Sequence, residues 1–206
     1  MNALIIINGN LPEIQHFEQD LNSADLILCA DGGANQAITK SIKPDFVIGD
    51  LDSIKPEFRS KLKESQLIFR PSQYATDLEK TLQFALEKGV KQVTLIGVSG
   101  GRLDHQICNL NIIEKFSHQL EIKIIDNTGN GRFIRSNYEF EGKIGQQISL
   151  FAFRKTEGIK TQGLKYPIQN SSMEWAVNDG LSNEIVSNPV KISVEKGCLF
   201  IFQVWC

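Results

Sequence analysis

Six short apolar runs, separated by segments of helical length, restrict this chain more than any other feature. They fall at residues 2–8, 25–31, 45–50, 67–70, 92–98 and 121–126. Most are apolar throughout, as strands buried on both faces are, and so are read as strands. The intervening segments carry helical periodicity. In TDLEKTLQFALEKG, residues 76–89, Leu78, Leu82, Ala85 and Leu86 fall on one face. Thr76 followed by Glu79 reads as a capping box, and Gly89 stands where a helix C-cap glycine belongs. Strands alternating with helices predict an α/β fold: a mostly parallel, Rossmann-like sheet with helices on both faces. Ligands of such sheets bind beyond the carboxyl ends of the strands.

After DNTGNGR the pattern changes. From Phe133 onward the runs are short and alternating, as in QISLF at 147–151 and VKISV at 190–194, and no long helical segment follows. This predicts a C-terminal antiparallel β-sandwich of about 70 residues, near the lower limit for independent folding. The expected domains are therefore 1–128, an α/β nucleotide-binding unit, and 129–206, an antiparallel one. Neither an internal repeat nor a low-complexity tract interrupts them.

Charge then narrows the partners. The 206 residues carry a formal charge of −2, which gives no basic face for nucleic acid or for an anionic membrane. A small molecule is the expected ligand. Cys29, Cys108, Cys198 and Cys206 are widely spaced, with no CxxC pair and no histidine at metal-ligand spacing, which argues against zinc. MNALIIINGN lacks a basic leader region, and no run reaches membrane-spanning length, so a cytoplasmic protein is expected.

The polar clusters fall at strand ends. ADGGAN (30–35) follows the second strand, GDLDS (49–53) the third, PSQYATD (71–77) the fourth and GVSGGRLDH (97–105) the fifth. All four should gather at one edge of the sheet, bringing Asp31, Asp50, Asp52, Asp77 and Asp104 together with Arg102, Asn35 and Gln73. Any one aspartate could cap a helix or make an Asx-turn, and those of GDLDS could cap a helix starting near Pro56. Several in one cleft repel each other and oppose folding unless a cation lies between them. Mg²⁺ suits such a set, since it takes carboxylate and water oxygens together with substrate phosphates. If GDLDS continues the strand, Asp50 and Asp52 point to one side. Gly100 and Gly101 offer amides, and Arg102 a charge, for phosphate oxygens. There is no P-loop, no GxSxG elbow, and His105 is the only histidine near the cleft.

In this order, ADGGAN, GDLDS, Gln73 to Lys80 as QxxTDLEK, GGRLDH, GLKY and LSNE resemble the thiamine pyrophosphokinase family nearly end to end. The resemblance implies a homodimer with shared active sites. It also implies Mg²⁺-dependent transfer of a pyrophosphoryl group from ATP to thiamine with release of AMP. It places metal on Asp50, Asp52 and Asp77, and chemistry on these with Gln73 and Arg102. The nucleotide falls to Asp31, Gly32, Gly33, Asn35, Thr76, Lys80, Gly100, Gly101, Arg102 and Asp104. Thiamine falls to Gln73, Tyr166, Ser182 and Asn183. Tyr166 stands where some relatives have tryptophan, and Trp175 reads first as core or interface packing. Two rivals are a pyrophosphokinase for another alcohol, such as a hydroxymethyl pterin, and a non-catalytic nucleotide or thiamine sensor.

Overall fold

The computed structural model describes residues 1–63 and 66–206. The chain forms two compact units, Met1–Asn127 and Thr128–Cys206. In the first, β1 (Asn2–Ile6), β2 (Leu26–Ala30), β3 (Phe46–Gly49), β4 (Leu67–Phe69), β5 (Gln92–Ile96) and β6 (Glu121–Ile125) all run parallel, in the order β6-β5-β1-β2-β3-β4. The centre is covered on both faces: Leu4, Ile5 and Ile6 point alternately up and down, yet each is 0% exposed. The chain leaves β1 toward β2 on one side and returns to β5 on the other, so the order reverses between β1 and β5. Crevices in open α/β sheets form at such reversals.

Among the described residues, five α-helices join these strands: α1 (Glu18–Ser23), α2 (Gly33–Thr39), α3 (Pro56–Arg59), α4 (Asp77–Glu87) and α5 (Leu103–Phe116). The ends of α4 follow the sequence. Thr76 is its N-cap and accepts from the Glu79 N–H, while Gly89, at φ 79°, takes the left-handed position beyond its end. Gly89 N–H then bonds to the Leu86 carbonyl and Val90 N–H to that of Ala85, the paired closure of a Schellman motif. Glu79 does not complete the box; its carboxylate binds Lys115 on α5 instead. Leu78, Leu82 and Ala85 are buried as the periodicity predicts, and α4 packs on β2 and β3.

The second unit contains β7 (Gly129–Ile134), β8 (Tyr138–Phe140), β9 (Gln147–Phe151), β10 (Thr156–Gln162), β11 (Ser171–Met173), β12 (Gly180–Glu184), β13 (Val190–Ser193) and β14 (Leu199–Val204). Its antiparallel orders are β12-β9-β14-β7 and β11-β10-β13-β8. Ile148, Leu150, Ile159, Ile185, Ile192 and Ile201 share one core. The glycine-rich stretch at which the sequence pattern changes forms part of strand β7. A side chain at Gly129 would strike the Phe202 ring at 2.7 Å, and one at Gly131 the Phe200 ring at 2.6 Å. Glycine there makes room for the aromatic rings of β14.

Candidate active site

Three carboxylates converge at the carboxyl edge of the parallel sheet. Asp31 follows β2, Asp50 follows β3 and Asp77 opens α4; one oxygen from each lies within 4.8 Å of the others. Gly49 permits the approach. A Cβ there would sit 2.8 Å from Asp31 Cβ and 3.0 Å from Asp77 Oδ1. Asp31 is only 2% exposed and takes φ 37°, a conformation that non-glycine residues rarely adopt. Its N–H donates to the Ile48 carbonyl at 2.9 Å, and its Oδ2 accepts from Ser53 N–H at 3.2 Å.

The charges in this group are incompletely compensated. Burial pushes the Asp31 carboxyl above its ordinary range; hydrogen bonds from Ser53 oppose this, and the charges of Asp77 and Asp50 add to it. Asp50 is shifted downward, first by Gln73, whose amide donates to Asp50 Oδ2 at 3.1 Å. Among the described residues, the ammonium in contact is that of Lys80, 6% exposed, at 2.9 Å from Asp77 Oδ1. Asp31 Oδ1 and Asp50 Oδ1 are buried and have no hydrogen-bond partner among the described residues. Buried carboxylate oxygens without a donor are costly. A hard divalent cation with oxygen preference would satisfy both at once, so the residues present fit Mg²⁺.

Asp52 is not one of the three carboxylates that lie within 4.8 Å of one another. Leu51 takes φ 66°, so the chain does not continue β3 in extended form; Asp52 still meets Asp50, and its backbone and side-chain hydrogen bonds are among the causes that lower the Asp50 carboxyl. Asp52 is exposed and accepts from Ser53 Oγ at 3.0 Å. Neither aspartate caps α3, whose N-cap is Lys55 with no side-chain bond. Asn35, expected near the nucleotide, holds this loop in place: its amide donates to the Ser53 carbonyl at 2.8 Å and its carbonyl accepts from Lys55 N–H at 3.0 Å. Gly33 is pressed on β1, where a Cβ would meet the Ile6 carbonyl at 2.2 Å, and Gly32 faces Asn8. Asn8 and Asn10, in the loop after β1, share this edge, with Asn10 against Gly100. Only their position after a strand could have flagged them.

At the start of α5, Gly100 and Gly101 take φ 92° and 75°, and Arg102 is the N-cap residue. Arg102 pairs with Asp104, through Nε at 3.1 Å and a terminal nitrogen at 2.6 Å. That hydrogen bond takes the exposed Asp104 carboxyl down to about 2.

In the second unit, Asn183 is 5% exposed and grips the Tyr166 backbone from both sides. It accepts from Tyr166 N–H at 3.0 Å and donates to the Tyr166 carbonyl at 2.8 Å. It thus positions Tyr166, which is 65% exposed. Ser182, exposed at φ 56°, donates its N–H to Ser149 Oγ at 3.1 Å. Trp175 is not core: it is 61% exposed and stacked on Phe153 at 5.2 Å.

An open parallel α/β unit with a buried carboxylate cluster at its ligand-binding edge, joined to an antiparallel β unit, defines a two-domain enzyme class suited to metal-assisted phosphate chemistry. Residues 17–125 match the thiamin pyrophosphokinase catalytic domain, and residues 135–199 match the vitamin B1 binding domain of thiamin pyrophosphokinase. The chain belongs to the thiamin pyrophosphokinase family. It is 26% identical over 180 residues to thiamine pyrophosphokinase of Bacillus subtilis, covering 84% of each chain. It is 25% identical over 232 residues to thiamine pyrophosphokinase 1 of rice, Oryza sativa, covering 98% of this chain and 87% of that one. Among solved structures, the Bacillus subtilis enzyme superposes with a TM-score of 0.87 at 23% identity, over 99% of both chains. Thiamin pyrophosphokinase from Candida albicans gives 0.87 at 17% identity, over 99% of this chain and 89% of that one. Among the described residues, no helix is long and apolar enough to cross a membrane.

Proposed function

We propose that the chain transfers the pyrophosphoryl group of ATP to the hydroxyethyl oxygen of thiamine, giving thiamine diphosphate and AMP. The observation that carries this is the group Asp31, Asp50 and Asp77, with two buried oxygens lacking donors among the described residues, at the edge where a phosphate-bearing ligand would lie. Asp50 and Asp77, together with Asp31, would hold Mg²⁺, and Asp52 is assigned to its exposed side. The ion when bound neutralises charge on the transferring phosphates.

The alcohol oxygen attacks the β-phosphorus as the bond to the bridging oxygen of AMP breaks, and the alcohol proton passes to a carboxylate of the cleft. Such transfer asks the protein chiefly for positioning and charge. Gln73 fixes Asp50 through its hydrogen bond, and the buried Lys80 tempers the carboxylates through Asp77. Arg102 exchanges Asp104 for a phosphate oxygen, keeping the guanidinium paired in both states. Thr76, Gly100 and Gly101 line the nucleotide side. Thiamine carries a fixed positive charge, and the Tyr166 face attracts it by about 1 kcal/mol; Ser182 lies beside it. Trp175, Val177 and Leu181, each more than half exposed, offer apolar surface for a second copy, which supports a homodimer with shared active sites. The four free cysteines fit a reducing cytoplasm.

Mass spectrometry of the products from thiamine, ATP and Mg²⁺ tests the reading. Thiamine diphosphate formed in one step with AMP supports it. Turnover of a hydroxymethyl pterin in place of thiamine, or binding of both ligands without product, would refute it.

A further inference from the structure

A cavity of about 640 Å³ lies in the first unit between α4, α5 and the segment that follows β4. Its size suits a ligand as large as a nucleotide. Arg70, Lys80 and Lys115 line it with the carboxylate of Glu79, so basic side chains outnumber acidic ones on its wall. Pro71, Ala75 and Phe116 supply apolar wall, and the amides of Gln83 and Gln119 can each donate and accept. The cations are already held in place: Arg70 by Glu87, Lys80 by Asp77 and Lys115 by Glu79. An ammonium has three donors and a guanidinium five, so each retains N–H groups for an incoming anion.

The same cavity backs onto the carboxylate group. Lys80 lines it while its Nζ binds Asp77, and Pro71, Ser72 and Ala75 bracket Gln73, whose amide binds Asp50. A ligand seated there presses on both supports of the acidic site. We propose that this cavity is an effector site for a phosphorylated nitrogen heterocycle, and that its occupation slows turnover without competing for either substrate. Charge calls for the phosphate, the apolar wall for a flat ring, and the two glutamines for ring heteroatoms. In identifying the effector as a product of the reaction, AMP or thiamine diphosphate, the proposal rests on the function given above.

Calorimetry in EDTA with AMP and, separately, thiamine diphosphate tests it on the whole protein. Gln83→Trp fills the cavity and Lys115→Glu reverses a wall charge, both on exposed helix positions; Asp50→Asn is the control in the acidic site. One probe is expected to bind the parent and Asp50→Asn alike, and at least tenfold more weakly in both cavity variants. Gln83→Trp should keep initial turnover within twofold of the parent and lose non-competitive inhibition by that probe. Whether AMP or thiamine diphosphate shows this pattern identifies the effector. The proposal is overturned if neither probe binds, if the cavity variants bind both as the parent does, or if only Asp50→Asn weakens binding. These binding results need no turnover, so they stand apart from failure to form thiamine diphosphate.

Discussion

Replacing Asp31 by Asn separates what the acidic group costs the fold from what it does for the metal. Asp31 is 2% exposed and has an oxygen within 4.8 Å of those of Asp50 and Asp77. At an effective dielectric constant of about 20, two unit charges at that separation repel by roughly 3 kcal/mol. Lys80 at 2.9 Å from Asp77 offsets much of one pair, and partial exposure of Asp50 and Asp77 weakens both. Asparagine retains an acceptor for Ser53 N–H. In EDTA the variant is therefore expected to be more stable by about 1–2 kcal/mol, a rise of a few degrees in Tm for a chain of this size. Mg²⁺ should reverse the ranking. A ligand at a hundredfold excess over its Kd stabilises the parent by about 2.7 kcal/mol, and Asp31→Asn should lose most of that gain. Thermal unfolding followed by circular dichroism, with EDTA and with excess Mg²⁺, reads both effects. A variant less stable than the parent in EDTA, or equally stabilised by Mg²⁺, refutes the reasoning.

Gly49→Ala places a Cβ 2.8 Å from that of Asp31 and at φ 156°, so denaturant unfolding should show a loss of about 1–3 kcal/mol, with weaker Mg²⁺ binding by calorimetry. Asn183→Ala removes both bonds to the Tyr166 backbone, and leaves those groups short of partners at about 1–3 kcal/mol. Steady-state kinetics should then show KM for thiamine rising several-fold with little change in kcat. For Asp104, the folded pKa of about 2 lies below the ordinary carboxylate value, so its contribution to stability is present above that ordinary value and is lost as pH falls toward 2. Arg102→Gln should return the Asp104 titration, followed by NMR, to the ordinary range and flatten the stability profile over that window.

The sequence by itself determined the parallel sheet, because strands covered on both faces must be apolar at every position, and residues 2–6 and 46–49 are nearly so. It also determined α4, whose ends are set by Thr76 and Gly89 through bonds among near neighbours. In β13 the alternation matched burial, with Val190 and Ile192 inside and Lys191 out. Position at strand ends likewise marked Asp31, Asp50 and Asp77 as members of one cleft.

Tertiary structure decided which aspartates meet. Periodicity assumes that a strand continues, and the left-handed turn at Leu51 ends that assumption between Asp50 and Asp52. The space that admits Asp31 beside Asp77 is the missing side chain of Gly49, a residue far from both in sequence. Strand β7 stayed hidden for a related reason: its glycines serve rings on β14, about 70 residues away, and local pattern carries no trace of so distant a neighbour. Arg102 shows the same limit. Its charge was legible, but pairing with Asp104 depends on where the first turn of α5 points both side chains.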